Sequence, residues 1–309
     1  MDLKDLTIGV FRGGVSPERD ISLLSGENVI KALADRGYKI EDVDLKANRE
    51  DEIIEIVNSK NIDLAFIALH GEFGEDGQIQ KIFEDNNILF TGSGSEASFL
   101  AMDKIKTRKI LEEERLPLPK SFTDISSICP SDFPLVLKPS SSGSSIGVRI
   151  VRNQAELEEG LSFLSKSFSN ILIEEYIPGR ELTAGILGDT PLPVVEIVFE
   201  NSFFDYSCKY SNNLSRAVVP ADIPDSLSKE IQDIAFKVYK VLGCRHFGRV
   251  DFRLSDNMRP YVLELNSIPG LTSHSLLPLA AKNIGISFSS LCEDIVRQAF
   301  SGLSVSNSR

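Results

Sequence analysis

Phe247-Gly248-Arg249-Val250-Asp251-Phe252-Arg253-Leu254, followed after a short polar break by Tyr261-Val262-Leu263-Glu264-Leu265-Asn266, is the stretch on which the fold reading turns. Val250, Phe252 and Leu254 alternate with Arg249, Asp251 and Arg253, while Tyr261, Leu263 and Leu265 alternate with Glu264 and Asn266. Period-two alternation describes an antiparallel pair with one face in a core and the other polar. A four-residue turn over Ser255–Met258 sets Arg249 opposite Glu264 and gathers Asp251, Glu264 and Asn266 on the polar face. Two carboxylates and an amide suit Mg²⁺, which completes its shell with water and nucleotide phosphates. A solvated salt-bridge ladder is the plainer alternative. It does not explain why the second strand runs on into Ser267-Ile268-Pro269-Gly270-Leu271-Thr272-Ser273-His274-Ser275, a glycine-containing turn at a helix start that suits an anion.

Upstream the pattern differs. Leu6–Phe11, Tyr38–Leu45, Ile62–Leu69 and Ile88–Thr91 read as strands, with helices at Pro17–Arg36, Arg49–Ser59 and Ile79–Asn86 between them. Such βαβ alternation predicts a parallel, doubly wound sheet. Ligands collect at the carboxyl ends of such strands. Gly13-Gly14-Val15-Ser16-Pro17-Glu18-Arg19 and His70-Gly71-Glu72-Phe73-Gly74-Glu75-Asp76-Gly77 both lie there. Ser16 fits a helix N-cap and Pro17 a first helical residue. Glu18 then either complements the helix dipole or anchors an ammonium group. Gly92-Ser93-Gly94-Ser95-Glu96-Ala97 has the form of a dinucleotide fingerprint, but it follows the fourth strand and lacks the acidic partner, so it reads as the turn into a helix over Ser95–Arg115. Leu116-Pro117-Leu118-Pro119 marks a hinge.

Beyond the hinge, strand Pro134–Lys138, a Gly/Ser loop, strand Gly147–Val151, helix Glu156–Ser167 and strand Ile171–Ile177 predict a small antiparallel lobe. Lys138 precedes Ser140-Ser141-Ser142-Gly143-Ser144-Ser145-Ile146-Gly147, where loop N–H groups and hydroxyls can wrap phosphate while the ammonium neutralises it. The rest of the chain is strand-rich, with a helix at Leu227–Leu242 and a polar stretch over 199–219 that fits a lid. The expected parts are therefore an N-terminal domain over 1–97, a central lobe over 98–185 and a C-terminal lobe over 186–309.

Composition narrows the function. A net charge of -12 disfavours non-specific binding to nucleic acid or anionic membrane. No apolar run approaches the roughly 20 residues of a membrane helix. The start shows no secretory leader, and four scattered cysteines without a C-x-x-C pair offer neither a zinc site nor a disulfide framework, so the chain reads as cytoplasmic.

Taken together, Ser16–Ser22, His70–Gly77, Met102-Asp103-Lys104, Lys138–Gly147, Ile173–Glu181, Lys209-Tyr210, Gly248–Asp251 and Leu263–Leu276 resemble, in order and spacing, the D-alanine–D-alanine ligases of bacterial cell-wall synthesis. The resemblance implies an ATP-grasp fold and ligation of two D-alanine molecules through an acyl phosphate, with D-serine or D-lactate as alternative second substrates. It implies ATP between the central and C-terminal lobes, two Mg²⁺ (or Mn²⁺) ions on Asp251, Glu264 and Asn266, and a homodimer. Lys104, Lys138, Ser144 and Ser145 would contact phosphates, and Lys209 the terminal one. Glu174, Tyr176, Ile177, Glu181, Phe203 and Leu263 would surround the adenosine. Glu175 stands where the family often has lysine, so only a main-chain contact carries over there. Glu18 would hold the first ammonium with His70 nearby, Ser275 and Leu276 the second carboxylate, and Arg249 and the Gly270 N–H the oxyanion. Tyr210 would close the lid toward Ser144 and Glu18.

Overall fold

Strands β1 (Thr7–Gly13), β2 (Lys39–Leu45), β3 (Leu64–Ile67) and β4 (Leu89–Phe90) pair in parallel in the order β2-β1-β3-β4, as the alternating pattern predicts. The computed structural model describes residues 3–143, 145–199 and 215–301. Helices α1 (Arg19–Ala34), α2 (Glu50–Ser59) and α3 (Gln78–Asp85) cross between the strands. All four residues of β3 are buried, which is why its sequence is a continuous apolar run. Since β1 and β3 run the same way, the loops after Gly13 and after Ile67 open on one edge.

Two boundaries differ from expectation. Helix α1 starts at Arg19, not Pro17: the Glu18 N–H donates to Ser16 Oγ (3.2 Å) in a preceding turn, and Glu18 becomes an N-cap residue with no side-chain cap bond. Its carboxylate is thereby left to the loop. The single helix over Ser95–Arg115 is in fact two, α4 (Ser95–Met102) and α5 (Lys104–Glu113). Asp103 breaks it, because its carboxylate accepts from the N–H groups of Ile105 and Lys106 and so caps a fresh start.

A second, antiparallel sheet contains β8 (Gly179–Leu187), β10 (Val195–Phe199), β11 (Ser215–Val218), β12 (Phe247–Ser255) and β13 (Pro260–Asn266) in the order β11-β10-β8-β12-β13, with β9 (Thr190–Pro191) against β8. Strand β11 lies within the stretch read as an irregular lid. It is a short edge strand with Arg216 and Ala217 exposed, so it carries no apolar alternation to announce it. A third sheet orders β5 (Leu135–Pro139), β6 (Arg149–Val151) and β7 (Ile171–Glu175) as β6-β5-β7, covered by α6 (Gln154–Leu164) through Leu157 and Leu164.

The β12–β13 hairpin corrects the predicted register twice. The turn is one residue longer, with Leu254 opposite Pro260, and a bulge at Leu263 adds another step, so Arg249 faces Asn266 and Asp251 faces Glu264. Two one-residue slips preserve the face, and Arg249, Asp251, Glu264 and Asn266 stay together. Past the bulge the face does change: Val262 is buried where Tyr261 and Leu263 were expected to be.

The apolar side chains form three clusters that do not follow chain order. One joins the parallel sheet to α8 (Leu276–Asn283) and α9 (Phe288–Ser301), for example Ile8 and Leu64 with Leu291 and Ile295. Lys4 and Arg36 meet Glu293 at 2.9 and 3.1 Å across the same junction. Another packs α4, α5 and α7 (Asp225–Val241) on the second sheet, and the last lies under the third.

The Gly92–Ala97 turn is clasped by Arg245 and His246, just ahead of β12. Gly92 N–H donates to His246 Nδ1 (3.1 Å), Arg245 Nε donates to the Gly92 carbonyl (3.2 Å), and the Arg245 N–H donates to Ser93 Oγ (3.3 Å). Its groups are thus engaged within the chain. Burial, with the Arg245 charge adding to it, holds the His246 imidazole down at about 4. The neutral ring's stabilising effect is present above the unfolded value near 6.5 and is lost as pH falls toward 4. Replacing His246 by Asn, which tolerates the left-handed backbone there (φ 67°), should therefore cost stability at pH 7.5 and progressively less at pH 5 and 4. Denaturant unfolding of both proteins across that range is the check; a constant gap sinks the assignment.

Candidate active site

The two loops at the parallel-sheet edge meet the polar face of the hairpin around a cavity of about 410 Å³. Glu18 and His70 come from the parallel-sheet side, Lys104 from α5, Gly143 from the Gly/Ser loop, Arg249, Asp251, Glu264 and Asn266 from the hairpin, and Gly270, Ser275 and Leu276 from the turn into α8. Apart from Gly143, each of these residues was given a site role from the sequence, whereas Ile197, Phe199 and Thr272, which also line the cavity, were not.

Strand pairing explains the arrangement of its floor. Thr183, Asp251 and Glu264 are neighbours across β8, β12 and β13, and Gly185, Arg249 and Asn266 form the adjacent row. Asp251 accepts from Arg249 Nε and Nη2 (both 2.8 Å), from Thr183 Oγ1 (2.6 Å) and from Asn266 Nδ2 (3.0 Å). Glu264 lies 3.1 Å from Lys104 Nζ, which also donates to the Ser142 carbonyl (2.8 Å) and so ties the Gly/Ser loop to the sheet. Ser140 Oγ donates to Asp103 (2.6 Å) and completes the tether.

On the opposite wall, the Glu18 carboxylate lies between two glycines. A Cβ on Gly71 would stand 2.7 Å from Glu18 Oε2, and one on Gly143 3.4 Å from it. Gly71 also has φ +72°, where side chains are strained. His70 lines the cavity and is also held from within the protein. Its Nε2 is 2.9 Å from Ser25 Oγ, and its own carbonyl accepts from Ser16 Oγ (2.7 Å). Burial, with the Arg249 charge adding, holds its imidazole down at about 4, so it braces the loops as a neutral ring.

Sequence reading passed over Glu75, a second carboxyl on this wall. It accepts from the Gly71 N–H (2.7 Å), and burial together with nearby Glu18 pushes it up to about 8. Its place between two glycines at a strand end was the available signal. Thr183 was also passed over, because nothing local marks a strand threonine as the partner of a carboxylate 68 residues away.

Of the expected nucleotide residues, Lys104 lines this cavity, whereas Lys138, Glu174, Tyr176, Ile177 and Glu181 lie along the third and second sheets. Lys138 Nζ is 2.6 Å from Glu174. Glu181 faces Arg253 (3.7 Å), whose Nε donates to the Ile177 carbonyl (3.0 Å) and whose Nη2 donates to the Tyr176 hydroxyl (3.3 Å). The bulge turns half-buried Leu263 out of the core. Glu175 points to the hinge instead, accepting from the Lys120 N–H (2.7 Å). Ser145 sits at φ 59° in the loop, while Ser144, Phe203, Lys209 and Tyr210 lie outside the described residues.

Comparison with known proteins gives the family. The family described as D-ala D-ala ligase C-terminus matches residues 111–297, and that described as D-ala D-ala ligase N-terminus matches 42–93. The chain belongs to the D-alanine–D-alanine ligase family. A D-alanine–D-alanine ligase of Carboxydothermus hydrogenoformans is 42% identical over 96% of this chain and 99% of its own, and one from Syntrophotalea carbinolica is 40% identical over 96% and 97%. Among solved structures, the Bacillus anthracis ligase complexed with ATP superposes with a TM-score of 0.85 at 32% identity, covering 97% of this chain and 99% of that one. The VanG D-Ala:D-Ser ligase of Enterococcus faecalis gives 0.81 at 28%, covering 95% and 99%. The fold is accordingly ATP-grasp.

Proposed function

We propose that this chain joins two D-alanine molecules, converting ATP to ADP and phosphate, in the cavity between Glu18 and the β12–β13 hairpin. One observation carries the reading: an ammonium anchor, a hard-oxygen row with its guanidinium, and an anion-binding turn line a single small cavity. Lys104 reaches into it from the start of α5 and holds the Gly/Ser loop through the Ser142 carbonyl. Glu18 holds the ammonium of the first D-alanine, whose carboxylate takes the terminal phosphoryl group of ATP. The amine of the second D-alanine attacks that acyl carbonyl and phosphate leaves. Its carboxylate lies at the start of α8, where Ser275 is an N-cap residue without a side-chain cap bond and the first-turn N–H groups suit an anion. Arg249 and the Gly270 N–H stabilise the oxyanion.

Asp251, Glu264 and Asn266 fit Mg²⁺ in donor chemistry. An ion there would complete its shell with water and phosphate oxygens. When bound, such ions neutralise phosphate charge. Lys138, Ser144, Ser145 and Lys209 serve the phosphates, Glu174, Tyr176, Ile177, Glu181, Phe203 and Leu263 the adenosine, and Tyr210 the lid; a homodimer belongs to the same reading.

The test is to incubate the purified protein with ATP, Mg²⁺ and D-alanine and measure phosphate and dipeptide, with L-alanine, D-serine and D-lactate supplied in parallel and in competition. Phosphate release should need D-alanine and Mg²⁺ together. Equal rates with L-alanine, or a product carrying mainly D-serine or D-lactate, overturn it. A finer check is Gly71→Ala, whose methyl displaces the Glu18 carboxylate. It should raise the D-alanine concentration needed for half-maximal rate by roughly ten- to a hundredfold with ATP affinity unchanged. An unaltered D-alanine requirement removes Glu18 from the role.

A further inference from the structure

Arg108 belongs to none of the motifs considered so far, yet it is 8% exposed and makes three polar contacts. It projects from α5, whose Leu111 is rooted in the core under the second sheet. Its Nη1 lies 2.6 Å from Glu174 Oε1 on β7, Nε lies 2.8 Å from Glu112, and Nη2 donates to the Pro119 carbonyl in the hinge. Glu174 is 4% exposed, and its other oxygen is 2.6 Å from Lys138 Nζ. One buried carboxylate thus has two cations, and only Lys138 has been given a task on the nucleotide.

We propose that Arg108 is a positioning residue that acts as the permanent counter-ion of Glu174 and so releases Lys138 to the nucleotide phosphates. The two cations are suited to different parts. A guanidinium spread over three acceptors is fixed by its planar fork, whereas an ammonium on a four-carbon stem can change partners. A buried carboxylate that loses its sole cation is strongly penalised. With Arg108 in place, Lys138 can leave Glu174 without stranding it. Without Arg108, Lys138 must serve the carboxylate or the phosphates, and phosphate binding suffers. A mere staple between lobes would instead weaken every nucleoside equally.

The proposal rests on the reading that Lys138 serves the phosphates, and the experiment separates the two. ADP affinity is measured by calorimetry and adenosine affinity by displacement of ADP, for the wild type, Arg108→Gln, and Arg108→Gln combined with Glu174→Gln. The wild type should prefer ADP to adenosine; no preference overturns the phosphate reading and this inference with it. In Arg108→Gln the preference should fall roughly tenfold or more while adenosine affinity holds within about threefold, the scale of one charge-assisted contact. An unchanged preference, or parallel loss of both ligands, overturns the inference alone. The double variant leaves no buried carboxylate without a cation and frees Lys138 by another route, so its preference should match the wild type even if the single variant does not fold. A collapsed preference there also overturns it.

Discussion

Arg249→Ala is expected to slow dipeptide formation by roughly 10²–10³-fold, the usual scale for removing an oxyanion donor, with ATP affinity little changed. The geometry sharpens that expectation. Both Nε and Nη2 grip Asp251, so the side chain is held at the cavity floor before any substrate arrives, and fixed donors cost no reorganisation when charge develops. The same bond is a complication, because the variant also loosens Asp251. Arg249→Lys separates the roles: a lysine keeps a positive charge but cannot reproduce the two-pronged grip. If rate loss in Arg249→Ala comes with loss of ATP binding, the residue is a phosphate contact and the oxyanion assignment falls.

Asp251→Asn is expected to reduce turnover by about 10³-fold or more, corresponding to ~4 kcal/mol of charge stabilisation, and to raise the Mg²⁺ concentration needed for what remains. Asparagine keeps one acceptor oxygen, which Thr183 Oγ1 and Arg249 Nε can share as they share Oδ1, and loses the charge. The measurement is phosphate release against Mg²⁺ concentration at saturating D-alanine. A rate loss with an unshifted Mg²⁺ dependence would mean that Asp251 serves only to hold Arg249.

Why the site was largely legible follows from what each residue depends on. Arg249, Asp251, Glu264 and Asn266 could be grouped because alternation alone assigns a face, and the face survived a register wrong by two. The register itself could not be read. A bulge at Leu263 has no compositional signature between Val262 and Glu264, and it moved Val262 into the core in place of Tyr261 and Leu263. Asp103 was a readable signal that went unread, an N-cap residue hidden inside a run otherwise favourable to helix. The Arg108–Glu174 pair and the closeness of Glu75 to Glu18 belong to another category. Such meetings join different elements, and no local periodicity encodes which side chains converge once loops and lobes have packed.

The C-terminal helix α9 lies in the same core as β1 and β3, and Glu293 holds Lys4 and Arg36. During synthesis this sets an order of events. The first sheet emerges from the ribosome long before the residues that cover it, and Leu291, Ile295 and Val296 are made only after the second and third sheets. Until they arrive, part of its apolar surface has no partner within the chain, the condition in which nascent proteins aggregate or engage chaperones. The third sheet, whose core is drawn from residues 122–173 alone, is free of that wait and can settle while the rest is still being made. The middle of this chain can thus be finished before its beginning.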